Sequence, residues 1–314
     1  MKIWRTWQDL PSDARNHAVA LGNFDGVHRG HVHLLHQLHA ARPDLPLAVL
    51  SFEPHPREFF RAEDPPFRLT LSDERAAALA ALGVVTIYEL PFDSELAHLT
   101  AEVFIEQVLV SGIGARHLAC GTDFAFGHRR GGNVRFLESA ASAHGIGLTP
   151  VPLLTDEDGP ISSTRIRRLL LDGYPDRAAE ELDRPFTIHG TVAHGDKRGR
   201  TLNFPTANVA LGRHLEPARG VYAARVRLRD GTVHEAVANL GRRPTVNSGP
   251  ESRLEAHLFD FDADIYDQEI AVELHHYLRE EQRFPSLDAL KAQITRDAAQ
   301  AREWLSVLAV QKRK

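Results

Sequence analysis

The sequence is poor in the features that mark several broad classes of protein. One cysteine, Cys120, in 314 residues excludes an intramolecular disulfide and a thiolate-rich zinc site, and fits a reducing compartment. No window approaches the roughly 18 apolar residues of a membrane span, and Met1 to Asp9 lacks the apolar core of a signal peptide. Positive charge is not in excess: 37 Lys and Arg stand against 42 Asp and Glu, a formal net charge of −5. That balance argues against a protein whose affinity comes from neutralising a nucleic-acid backbone. Low-complexity tracts are missing, with 22 Gly and 18 Pro spread along the chain. The expectation is a soluble cytoplasmic protein with no nucleic-acid, membrane or obligate protein partner.

What is present is enough chain for two compact domains. In the first half, Ala18 to Leu21, Leu47 to Phe52, Val84 to Leu90 and His117 to Cys120 read as strands. Helical stretches separate them: Gly30 to Ala41, with apolar Val32, Leu34, Leu35 and Leu38, then Ser72 to Leu82 and Thr100 to Val110, each opening on a plausible N-cap. Strands separated by helices predict a doubly wound parallel sheet. After Tyr174-Pro175 the texture changes. Thr187 to Ala193, Val221 to Leu228, Val233 to Leu240, Arg253 to Phe259 and Glu269 to Leu278 read as strands of a barrel or sandwich, and Leu287 to Leu308, capped by Ser286, as a closing helix. The boundary falls near Arg184-Pro185, giving domains 1–184 and 185–314.

The most informative string is Gly22-Asn23-Phe24-Asp25-Gly26-Val27-His28-Arg29-Gly30-His31, between a strand and a helix. His28 and His31, three apart at a helix start, point the same way beside free backbone N–H groups and the positive end of the helix dipole, which suits a polyphosphate. Gly22, Gly26 and Gly30 permit close approach by a ligand. The competing reading makes both His solvated members of a run continuing through His33, His36 and His39; a helical zinc pair is disfavoured because its spacing is i, i+4.

Three more strings carry chemistry. Ser51-Phe52-Glu53-Pro54-His55-Pro56 closes the second strand and leaves His55 near the sheet's carboxyl edge, or is simply a stiff loop. Gly121-Thr122-Asp123-Phe124-Ala125-Phe126-Gly127 follows the fourth; Phe124 and Phe126 are either core or faces for a flat ring, with Asp123 as a polar anchor. Ile161-Ser162-Ser163-Thr164-Arg165-Ile166-Arg167 opens a helix, and arginines in its first turns make sense if an anion compensates them.

His-x-Gly-His after a glycine-rich turn resembles the signature of the nucleotidyltransferase superfamily, and the longer string resembles its FAD synthetase branch. The resemblance implies ATP binding by Gly22, Asn23, Phe24, Asp25, Gly26, His28 and His31 and by Ser162, Ser163, Thr164 and Arg165. It also implies charge stabilisation by His28, His31 and Arg165 without a covalent intermediate, and flavin contacts from His55, Asp123, Phe124 and Phe126.

In the second half, Gly190 to Arg200 leads into Thr201-Leu202-Asn203-Phe204-Pro205-Thr206-Ala207-Asn208. By residue type alone this is a Gly-rich turn without the Gly-Lys-Ser/Thr of a P-loop. The string resembles the riboflavin kinase family, a six-stranded barrel with a C-terminal helix, as do Gly220-Val221-Tyr222, Asn239 to Thr245 and Leu254 to Asp260. That likeness implies ATP binding by Gly190, Gly195, Gly199, Arg200, Thr206 and Asn208, with Mg²⁺ on the hard oxygens of Thr206 and Asn208. Glu255 would be the base for a ribityl hydroxyl, though on an alternating strand it would ordinarily face water; Arg279 and Phe284 would shape the flavin pocket. Asn203, Asp183 and Asp267 replace family glycines, and Asn and Asp tolerate φ > 0 best. The expected function is bifunctional, riboflavin to FMN and FMN to FAD at the expense of ATP; the alternative keeps the adenylyltransferase beside a non-catalytic flavin-binding domain.

Overall fold

The computed structural model describes residues 1–194, 204–243 and 251–311. Its contacts form two units: Met1–Pro65 with Thr70–Ser163, and Pro66–Leu69 with Thr164–Lys314. The packing division therefore falls at Ser163/Thr164, earlier than Arg184-Pro185, because the helices that follow bury Ile166, Leu170, Ala178 and Leu182 in the barrel's core.

The first unit is built on a parallel sheet, β1 (Lys2–Trp4), β2 (Ala18–Leu21), β3 (Leu47–Glu53), β4 (Thr86–Pro91), β5 (His117–Gly121) and β6 (Gly147–Val151), in the order β1-β4-β3-β2-β5-β6. Its helices are α1 (Arg29–Ala41), α2 (Pro56–Phe60), α3 (Ser72–Ala81), α4 (Ser94–His98), α5 (Ala101–Val103, continued by a π-helical turn Phe104–Gly112) and α6 (Val134–Ala143). Alternation along β2 and β3 sends Ala18, Ala20, Leu47 and Val49 to a layer with Leu34, Leu35 and Leu38 of α1 and Leu79 of α3. Val19, Leu21, Ala48 and Leu50 go to the opposite layer, with Phe104, Val108, Leu109 and Leu137. Both faces are buried, as a doubly wound parallel sheet requires. Order reverses between β2 and β5, so the ligand crevice of this fold lies at their carboxyl ends.

Two expectations need correction here. Ser72 does not cap α3; Leu71 holds that position, and the Ser72 hydroxyl donates to Glu89. The reading also passed over β1, β6 and α6, of which β1 is a short edge strand.

In the second unit, α7 (Ser163–Leu171) and α8 (Pro175–Leu182) precede an antiparallel sheet of β7 (Phe186–Thr191), β8 (Ala207–Ala210), β9 (Gly220–Arg227), β10 (Val233–Arg243), β11 (Glu251–Leu258) and β12 (Glu269–Arg279), in the order β7-β12-β9-β10-β11-β8. A bridge between Ala193 and Asn208 brings the two edges together, so the sheet nearly closes into a barrel. Tyr222, Ala224, Val226, Ala238, Leu240, Leu254 and Ala256 fill the interior. On the outer face Val221, Ala223 and Val237 pack against Ala301 and Leu305 of the closing helix α9 (Leu287–Gln311), whose N-terminus is capped by the Ser286 hydroxyl accepting from the Ala289 N–H at 3.1 Å. Asp183 ends α8 at φ 58 and Asp267 sits at φ 60. Both glycine replacements thus occupy the left-handed region, which Asp enters at low cost. Asn203 lies outside the described residues.

Candidate active sites

In the first unit, the loops after β2 and β5 leave the sheet on either side of the switch point. The turn after β2 is strained: Phe24, Gly26 and Val27 have φ of 52, 87 and 41°, a costly conformation for a β-branched valine. Burial holds it. Asp25, 2% exposed, accepts the Thr70 backbone N–H at 3.0 Å, and the Gly26 N–H donates to the Thr70 hydroxyl at 2.9 Å. Asp25, expected to bind ATP, helps to hold the turn, and Thr70 is a partner that the sequence reading missed.

The turn delivers His28 to the N-cap of α1. His28 and His31 stack with ring centroids 3.7 Å apart, and His31 lies 4.8 Å from the Phe24 ring. The His28 backbone N–H donates to His31 Nδ1 at 3.3 Å, while the N–H groups of Arg29 and Gly30 make no hydrogen bond among the described residues. Paired imidazoles beside unbonded amides at a helix start are the groups that an anion would meet at this corner. Two of the glycines also make room for the protein's own groups. A Cβ at Gly30 would meet the His28 ring and the Ile161 carbonyl, and one at Gly22 would meet the Phe24 ring. The same corner receives the later motif: the Ser163 hydroxyl donates to the Asp25 carbonyl at 2.8 Å. Asn23 and Ser162 are half-buried.

Around this corner, His55 follows β3 and caps α2, its Nδ1 accepting from the Arg57 N–H at 3.0 Å. After β5, Asp123 makes no hydrogen bond among the described residues, and half-buried Phe124 stacks on Phe126 at 5.5 Å. Phe126 is core, 8% exposed and 5.7 Å from Phe104. Behind β3 and β4, buried Arg75 pairs with Glu89 at 2.7 Å and reaches Glu53 at 3.4 Å. Burial pushes the Glu89 carboxyl up, but hydrogen bonds from Ser72 and Arg75 outweigh it and hold the group below its ordinary range.

In the second unit, Thr164 is exposed. Arg165 finds its anion within the protein: its Nε donates to Glu181 at 2.6 Å. Arg167 donates to the Phe67 carbonyl at 2.8 Å and lies over that ring at 5.0 Å. Glu181, a residue with no motif to mark it, is thus one partner of the Arg165 guanidinium.

The barrel's polar residues line up across strands. Asn208 of β8 pairs with Glu255 of β11, Glu255 with Asn239 of β10, Asn239 with Val221, and Val221 with Arg279 of β12. Directly paired residues share a face, so this row lies outside the apolar interior. Glu255 is half-buried rather than solvated, and neither its carboxylate nor the Thr206 hydroxyl makes a hydrogen bond among the described residues. Asn208, 6% exposed, donates from Nδ2 to the Thr206 carbonyl at 3.3 Å, leaving its amide oxygen for a ligand. Two neutral oxygens beside one carboxylate fit a cation that keeps waters and phosphate oxygens, not an all-protein cage. Among the described residues no group of three or more His, Cys, Asp or Glu could hold a metal.

The remaining kinase residues divide. Gly190 lies in β7, where a Cβ would strike the Val209 side chain, so close strand packing requires the glycine. Arg279 binds Asp297 with both arms of its guanidinium, at 2.9 and 2.7 Å, and stands 5.8 Å from the Phe284 ring. Gly195, Gly199 and Arg200 lie outside the described residues.

A parallel sheet with an anion corner at its switch point, followed by a barrel bearing a cation-competent row, defines a two-module transferase. Comparison with known proteins agrees. Residues 10–165 match the FAD synthetase model and 182–305 the riboflavin kinase model. The bifunctional riboflavin kinase/FMN adenylyltransferases of Haemophilus influenzae and Escherichia coli K12 are each 42% identical, over 92% and 98% of this chain and 94% and 99% of their own. A Streptococcus pneumoniae crystal structure titled as a macrolide-efflux protein has a TM-score of 0.86 at 32% identity, covering 96% of this chain and 98% of that one. Among the described residues no helix is long and apolar enough to cross a membrane. The chain belongs to the bifunctional riboflavin kinase/FMN adenylyltransferase family, whose substrates are riboflavin, FMN and ATP and whose final product is FAD.

Proposed function

We propose that residues 185–314 phosphorylate riboflavin with ATP to give FMN and ADP, and that residues 1–184 adenylylate FMN with a second ATP to give FAD and pyrophosphate. The observation that carries this reading is that each half holds its own polar cluster, the stacked His28–His31 pair at the start of α1 and the Asn208–Glu255 pair on the barrel. In the first half, His28, His31 and the backbone amides of Arg29 and Gly30 stabilise charge developing on the triphosphate, while the FMN phosphate attacks the α-phosphorus. Phe124 and Asp123 offer a ring face and a polar anchor to the flavin, and Phe126 supports Phe124 from the core.

In the barrel, Glu255 orients the terminal ribityl hydroxyl and takes up its proton as the γ-phosphoryl group arrives. Thr206 and the Asn208 amide oxygen hold Mg²⁺, which when bound neutralises phosphate charge. A cytoplasmic location belongs to the same proposal, supported by the lone cysteine, which is buried.

The test is to incubate the full chain with riboflavin, ATP and Mg²⁺ and follow FMN and FAD by chromatography. Both products are expected. FAD from added FMN but none from riboflavin would leave the barrel as a binding module. Asn208→Ala is expected to abolish mainly FMN formation and His28→Ala mainly FAD formation. Loss of both activities from either change would refute separate sites.

A further inference from the structure

Asn239 has no assigned role, yet it is Glu255's neighbour on the side away from Asn208. Directly paired residues in antiparallel strands have Cβ atoms about 4.5–5.5 Å apart, within reach of an amide and a carboxylate. Asn239 is half-buried in the outer face, where neighbouring Val221 and Val237 pack under α9. An asparagine at such a position is a poor choice for a strand, and its amide makes no hydrogen bond among the described residues. It forgoes apolar packing without gaining a partner among the described residues.

Two carboxylates flank it. Glu255 lies across the strand pair; Glu281 lies over Gly241, where a Cβ would collide with its carboxylate and lie 3.4 Å from Asn239 Nδ2. Glu281 is exposed and Glu255 is half-buried, and a hydrogen bond to the less hydrated carboxylate is the stronger one. On Glu255's other side the Asn208 amide is turned toward Thr206. The side-chain amide placed to fix the Glu255 carboxylate is therefore that of Asn239.

We propose that Asn239 is a positioning residue of the kinase site: when riboflavin binds, its amide N–H takes up one Glu255 oxygen across the strand pair so that the other faces the ribityl hydroxyl. The inference rests on the reading of Glu255 as the base.

The test uses the full chain with two substitutions of nearly equal shape, Asn239→Val and Asn239→Thr, since only threonine keeps a donor. Asn239→Val is expected to lower kcat for FMN formation about tenfold, the worth of one hydrogen bond to a charged group, with the KM for ATP unchanged. Asn239→Thr should recover most of that loss. FAD formation from added FMN should be equal in both, and equal thermal melts report that the barrel is folded; Asn239→Ala and Asn239→Ser repeat the comparison at smaller volume if valine does not fold. Equal kcat values for the valine and threonine variants would overturn the proposal. In a Glu255→Gln background Asn239→Val should have no further effect, and an undiminished tenfold loss there would also overturn it. Wild-type FMN formation by Glu255→Gln alone would instead sink the assignment of the base.

Discussion

Replacing Gly30 by alanine tests whether the placement of His28 governs adenylyl transfer. Gly30 has no left-handed backbone, so the added methyl group brings no conformational penalty of its own; what it brings is contact. The new Cβ would lie 3.0 Å from His28 Cε1, 3.1 Å from its Nδ1 and 3.2 Å from the Ile161 carbonyl oxygen. Comfortable carbon contacts begin near 3.5 Å, so something must retreat by about 0.5 Å, and the Ile161 oxygen, being backbone, yields less readily than the ring. Overpacking costs about 1–3 kcal/mol, while alanine in a helix recovers up to about 1 kcal/mol relative to glycine; stability should fall by about 2 kcal/mol or less. Rate should suffer more, since a misplacement of about 1 Å costs on the order of a hundredfold, and half of it about tenfold. The assay is chromatographic: FAD from FMN and ATP, FMN from riboflavin and ATP, and a thermal melt on the same sample. A tenfold loss of FAD formation with unchanged FMN formation is expected. An unchanged FAD rate would refute the link between ring position and chemistry.

Two further outcomes follow from packing and charge. Phe126→Ala should cost about 3–5 kcal/mol in urea unfolding, as for a buried ring, whereas Phe124→Ala should cost less and raise the KM for FMN in adenylylation; the opposite ranking in stability would show the two rings misassigned. Because the folded Glu89 carboxyl sits below its ordinary range, its stabilisation is complete above an unfolded value of about 4.3 and is lost as pH falls through the folded value. Arg75→Met should cost about 3–5 kcal/mol at neutral pH and make the urea midpoint less sensitive to acid between about pH 5 and 3; parallel acid limbs in wild type and variant would contradict the pairing.

Much of the architecture was legible because it is written in short windows. Ala18–Leu21 and Leu47–Glu53 are apolar runs of strand length, and Arg29–Ala41 repeats its apolar residues at helical spacing. β8 was not legible: Ala207–Ala210 spans four residues inside a motif that reads as a loop, and it becomes a strand by pairing with β11. Phe124 and Phe126 have the same residue type two positions apart, and only the packing of Phe104 separates a core ring from one left half-exposed.

By itself the sequence determined the two textures, the glycine-rich turn, the placement of His28 and His31 on one side of a helix start and the family to which both halves belong. These depend on neighbours within about a dozen residues, the range over which helical and strand periodicities act. Tertiary structure alone decided the partners: Thr70 for Asp25, 45 residues away, Glu181 for Arg165, 16 away, and Asn208 and Asn239 on either side of Glu255. Strand register and helix docking are settled by the burial of whole apolar faces, so no local window carries them.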